Sequence, residues 1–186
     1  MVSIFALWLP ILLSAVAVFI ISSIIHMVLK YHNNDFKALP SEESVMNDLG
    51  KHNIPPGEYH FPHAKDMKEM GSPEFIEKMK KGPVAFMTVL ENAPPKIGGQ
   101  LFLWFIFSLI VGIFAAYIAG HALGPGAHYL SVFRIVGFTA FTCYSMAIIP
   151  QSIWYKKKWS TTFKSMFDGL VFALFTAGIF GWLWPM

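Results

Sequence analysis

WYKKKWSTTFK, residues 154–164, is the stretch whose reading decides how this chain folds. Lys156, Lys157 and Lys158, with Lys164 just beyond, stand in a short turn between two long apolar runs. Lysine is costly to draw through a bilayer, so such a turn stays on the cytoplasmic side. Trp154, Tyr155 and Trp159 bracket the charge, and their rings, apolar with one polar edge, suit the headgroup layer. The turn therefore sets the direction in which every other segment runs.

Composition agrees with a membrane chain. The 186 residues are 55% hydrophobic and 13% charged, against about 25% charged in a soluble domain. The charge is also segregated. Nine of the fourteen Lys+Arg and ten of the eleven acids fall between Lys30 and Lys96. Elsewhere there are only Arg134, the four lysines of the turn region, and Asp168. A net charge of +3 is too small and too spread to point to nucleic acid. Cys143 is the single cysteine and lies in an apolar run, which excludes an intramolecular disulfide and reads as a small buried apolar side chain.

The pattern predicts an all-α membrane protein with four transmembrane helices. Residues 1–30 are the first, a retained anchor: Met1-Val2-Ser3 carries no basic n-region and the apolar run is long. Residues 31–100 form a membrane-apposed region of short helices and loops, and 101–186 a three-helix bundle with spans at about 101–123, 129–154 and 162–184. In the polar region, Ser41 is expected to cap a helix ending at Gly50, and Ser72-Pro73-Glu74 to open a second one. Residues 84–90 (VAFMTVL) are β-prone and read as a short strand or an irregular interfacial segment. Pro150 predicts a kink in the third span, and Ser160 is expected to cap the fourth.

Two ladders of small residues mark close helix packing. Gly112, Ala116, Gly120 and Gly124 recur every four positions in the second span, and Gly169, Ala173, Ala177 and Gly181 in the fourth. Residues four apart share a helix face, and small ones let another helix approach. The ladders pack either on each other, since the second and fourth spans run parallel, or on a second protein. With the lysine turn inside, residues 31–100 and 155–164 are cytoplasmic and both termini outside. The nine lysines of Lys30–Lys96 agree with that placement. Arg134 is shallow enough to snorkel to the interface. Lys164 and Asp168 are four apart and positioned to pair. Lys156, Lys157, Lys158 and Lys164 are expected to meet acids of residues 42–77 or anionic headgroups.

Histidines are the only plausible metal ligands. His26 and His32 lie near the end of the first span, and His60 and His63 flank Phe61-Pro62. Six residues on an ideal helix turn through about 240° net, so His26 and His32 would not share a face. A metal needs three or four converging ligands. All four histidines belong on the inner face, and the His60–His63 spacing beside a proline is compatible with chelation but very common, so interfacial histidines bonding headgroups or backbone carbonyls are the expectation. Neither a metal nor any other cofactor is expected. No span has a central histidine to hold haem, and no P-loop, dinucleotide fingerprint or nucleophile elbow occurs.

Three stretches, IPPGEYHFP at 54–62, SPEFIEKMKKGP at 72–83 and QSIWYKKKWSTTFK…DGL…TAGIFGWLWP within 151–185, resemble a group of uncharacterised bacterial integral membrane proteins of about this length. The resemblance implies a bacterial inner membrane and no particular activity.

The expected role is that of a non-enzymatic accessory or assembly subunit, packing through the small-residue faces on another membrane protein or on itself, among membrane lipids. The alternatives are a small transporter or lipid-handling protein with a cavity between spans, and a membrane metalloenzyme using His26, His32, His60 and His63.

Overall fold

The computed structural model describes all 186 residues. In chain order, a 3-10 turn Ile4–Leu7 leads into α1 (Trp8–Met27). Then come α2 (Glu42–Gly50), β1 (Gly57–Phe61), α3 (Met67–Met70), α4 (Pro73–Lys81) and β2 (Ala85–Val89). The chain closes with α5 (Gly98–Ala122), α6 (Tyr129–Ser145), α7 (Ile149–Trp154) and α8 (Trp159–Trp182). Four helical stretches, Ile4–Met27, Gly98–Ala122, Tyr129–Trp154 and Trp159–Trp182, are long and apolar enough to cross a membrane. The protein is thus an all-α, multi-pass membrane protein carrying one small sheet.

Two compact units divide the chain, residues 1–36 with 96–186, and residues 37–95. The boundary at 36 assigns 31–36 to the helical unit, whereas the charge pattern alone puts them in the polar region.

The first unit is a four-helix bundle. α1 packs on α5 and α8, and α6 packs on α5 and α8, so α5 and α8 occupy opposite corners. The small-residue ladders face antiparallel neighbours and not each other. A Cβ on Gly112 would stand 3.3 Å from Ile11 of α1, and one on Gly120 would stand 2.4 Å from the carbonyl oxygen of Val2. A Cβ on Gly169 would meet Ser145 at 2.2 Å, and one on Gly181 would meet Tyr129 at 2.6 Å. Ala116, Ala173 and Ala177 are buried. Of the two alternatives open from the sequence, mutual packing of the second and fourth spans does not occur, because the bundle's order gives each of them two antiparallel partners. Gly124 lies beyond the end of α5 with nothing near its Cβ position, so it takes no part.

The core is filled along the bundle. Leu7, Val18, Val111, Val132, Val136, Ala140, Phe172 and Phe180 are buried. Several buried hydroxyls bond within their own helices, as Ser14 does to Ile11, Ser108 to Trp104 and Thr176 to Phe172, while Ser145 reaches Met166 O and Ser152 pairs with Thr162 between helices; such bonds remove the cost of an unpaired polar group. One end of the bundle is tied by Val2 N–H to Gly120, Gly126 N–H to Pro185 and Trp184 Nε1–H to Gly124; we call it the termini end. The other carries the lysine turn. There the expected kink is an interruption: α6 stops at Ser145, a 3-10 turn spans Met146–Ile148, and Pro150 sits in the first turn of α7, where its missing N–H costs little. Lys158, and not Ser160, is the N-cap of α8, without a side-chain cap bond.

The second unit holds β1 and β2 as an antiparallel pair, with Tyr59 opposite Met87 and His60 opposite Phe86. Of the two readings left open for the β-prone run, strand or irregular segment, β2 is the strand. Its partner β1 falls where proline and glycine suggest a turn. Ser72 caps α4 by accepting from Phe75 N–H. Ser41 makes no such bond because its φ of 54° is left-handed. Phe75 is the one apolar side chain buried in this unit.

Candidate metal centre

The most concentrated chemistry lies where α1 ends, and helix termination creates it. Both Val28 N–H and Leu29 N–H bond Ile24 O, and Leu29 is extended. Lys30–His32 then forms a 3-10 turn, closed by Asn33 N–H to Lys30 O and Asp35 N–H to His32 O. This reversal lays His32 over His26, the rings stacked with centroids 4.9 Å apart and planes within 9°. The expectation that the two rings cannot meet is corrected here: it assumed a continuous helix, and α1 stops between them.

The turn faces the first turns of α8. His32 Nδ1–H donates to Asp35 Oδ2 at 2.6 Å, and His32 Nε2 stands 2.8 Å from Asp168 Oδ2. The Tyr31 hydroxyl donates to Asp168 Oδ1. Lys164 Nζ donates to the Tyr31 carbonyl and, at 2.7 Å, to Asp35 Oδ1. Lys164 and Asp168 therefore do not pair with each other as their spacing suggests; each reaches across to the turn. The side chains of Asp35 and Asp168 are only 7% and 4% exposed. Burying carboxylates is costly unless each is hydrogen-bonded and paired, and both are. Burial works to raise the pKa of Asp35, but hydrogen bonds and charge from Lys164 and His32 outweigh it and lower the value to about 2.

One donor atom each from His26, His32 and Asp168 lies within 4.8 Å of the others. Bonds of about 2.0–2.2 Å at tetrahedral angles would bring such atoms to roughly 3.5 Å apart, a change within reach of small side-chain rotations. Each ligand is also oriented by a separate partner. His26 Nδ1–H donates to Ser22 O at 2.9 Å, which leaves the Nε2 lone pair free. His32 turns its Nδ1–H to a carboxylate and its Nε2 to the centre. Asp168 has one oxygen held by Tyr31 and one turned to His32. Histidines that bind metals characteristically donate their second ring N–H to a carbonyl or carboxylate in this way. Ser22 is fixed in turn, its hydroxyl bonding Phe19 O and accepting Trp104 Nε1–H.

The remaining predicted residues lie elsewhere. His60 stacks on Phe86 at 4.4 Å in the second unit, and no ligand group gathers there around His60 and His63. Lys156, Lys157 and Lys158 are exposed. Arg134 is exposed on α6, toward the termini end. Sequence reasoning missed Tyr31 and Asp35. The signals were present: an acid three residues after His32, and Asp168 as the sole acid of any span.

No family model matches the chain, and no curated protein or solved structure matches it.

Proposed function

We propose that this protein is a membrane-bound metalloprotein that holds a divalent transition ion through His26, His32 and Asp168. The observation that carries this reading is the convergence of three ligand atoms whose side chains are each oriented by a different partner. Two imidazoles and one carboxylate suit zinc, and also iron(II) or its neighbours. In the ion-free arrangement, one proton sits between His32 Nε2 and Asp168 Oδ2; an ion binding there displaces it. Three protein ligands leave coordination open, and exposed His26 gives access. A zinc ion held by these three residues would acidify a bound water toward neutrality, chemistry that would suit hydrolysis of a substrate presented at the membrane surface. The protein's part is to hold and orient the ligands and to keep Asp35 and Lys164 paired behind them.

We further infer that the lysine end faces the cytoplasm of a bacterial inner membrane, with both termini outside. The lysines of 30–96 and of the turn support that direction. The accessory-subunit reading loses its specific support, because the small-residue faces are taken up within the bundle. The filled core likewise favours an interfacial centre over a translocation path.

The test is metal stoichiometry in detergent-purified protein. After chelation and reloading with zinc, elemental analysis should find one ion per chain, and His26→Ala, His32→Ala and Asp168→Asn should each lose it. His60→Ala and His63→Ala should keep it. Less than half an ion in the folded wild type, or full retention in the three ligand variants, would make the cluster a purely structural clamp.

A further inference from the structure

A second feature, independent of the metal centre, lies on the lipid-facing side of the bundle. Between α6 and α8 runs a groove of about 250 Å³ lined by Phe133, Arg134, Gly137, Phe138, Phe141, Leu170, Ala173 and Leu174. Its volume falls just below the range of about 300–1,000 Å³ usual for small-molecule pockets, which suits a single chain of methylenes. Gly137 and Ala173 are the two small residues of its lining, among five large apolar neighbours.

The groove has a polar end. Arg134 is its one charged residue and lies in the second turn of α6, near the termini end. From there the lining descends through Gly137 and Phe138 to Phe141, about 10 Å deeper along the helix at 1.5 Å per residue. Arg134 forms no salt bridge: all five ion pairs of the chain involve other residues. The only acid in a spanning helix, Asp168, is engaged by Tyr31 and His32 at the opposite end. An arginine within a span needs an anion or an aqueous path, and its fork matches phosphate with two parallel bonds.

We propose that this groove is a binding site for one anionic phospholipid of the leaflet at the termini end. The phosphate bonds Arg134, and one acyl chain lies over Gly137 and Ala173 between Phe138, Phe141, Leu170 and Leu174. Polar at the interface and apolar toward the midplane, the groove has the order of a lipid's own parts. A flat apolar face would bind acyl chains without preference; the unpaired guanidinium makes the site select for charge.

Native mass spectrometry of the detergent-purified protein, titrated separately with phosphatidylglycerol and phosphatidylcholine, tests this. The wild type should retain one phosphatidylglycerol with about five- to tenfold preference over phosphatidylcholine, the scale expected for one added cation–anion contact. Arg134→Gln should abolish the preference. Arg134→Lys should keep part of it, since charge survives and the fork does not. Leu174→Trp, filling an exposed wall of the groove, should weaken both lipids equally. Matching melting temperatures establish that the variants are folded. Undiminished preference in Arg134→Gln overturns the proposal. So does a wild-type dimer that excludes lipid from Arg134, which would give the groove to a second copy of the chain.

Discussion

Asp35→Asn tests how the polar cluster is held together. Asparagine keeps the shape of the side chain but not its charge, so Lys164 and His32 lose a carboxylate that is 7% exposed. The pKa of Asp35 is lowered from 3.8 to about 2. At 1.36 kcal/mol per unit, its charged interactions contribute roughly 2 kcal/mol at neutral pH. For a chain of this size that corresponds to a fall of about 4–8 °C in melting temperature, read by tryptophan fluorescence in detergent. The sign with pH follows from the depressed value. The contribution is complete above the ordinary pKa of 3.8 and is lost as pH falls toward about 2, so wild type and variant converge in acid. Zinc binding gives a second readout. In the variant a single neutral amide oxygen replaces the two carboxylate oxygens that serve His32 Nδ1–H and Lys164, so the orientation of His32 weakens and affinity should fall by up to about 10- to 100-fold. A variant that melts with the wild type at pH 7 and binds zinc equally well would refute the account of Asp35 as the hub of the cluster.

Other consequences can be checked singly. Gly120→Ala places a Cβ 2.4 Å from the Val2 carbonyl oxygen and should cost about 1–3 kcal/mol, whereas Gly124→Ala, with nothing within 4 Å, should melt within about 0.5 kcal/mol of the wild type. Trp104→Phe deletes the 2.8 Å bond to Ser22 and should cost about 0.5–1.5 kcal/mol in the same assay. In a Cys143→Ser background, Ala127→Cys should react with an impermeant thiol reagent in intact cells, and Lys157→Cys only after the membrane is opened; the reverse pattern would invert the topology.

The hydropathy of the chain and the segregation of its charge were enough to determine four spans and their approximate limits. Both follow from one-dimensional requirements: a span needs about twenty apolar residues, and lysines resist translocation. The small-residue ladders were equally legible as close-packing faces, because a spacing of four is a property of one helix. Which helix meets each ladder was not legible, since that depends on the order of four helices around a bundle. The same limit hid the candidate centre. His26 and His32 diverge on an ideal helix and converge here because α1 ends at Met27 and the chain turns back. Asp168 and Lys164, neighbours on one helix, reach instead to partners more than 120 residues away in sequence. Turn 154–164 marks the end of the bundle where that cluster forms. Only the tertiary structure decided the cluster itself, because convergence of side chains is set by where helices stop and what they pack against.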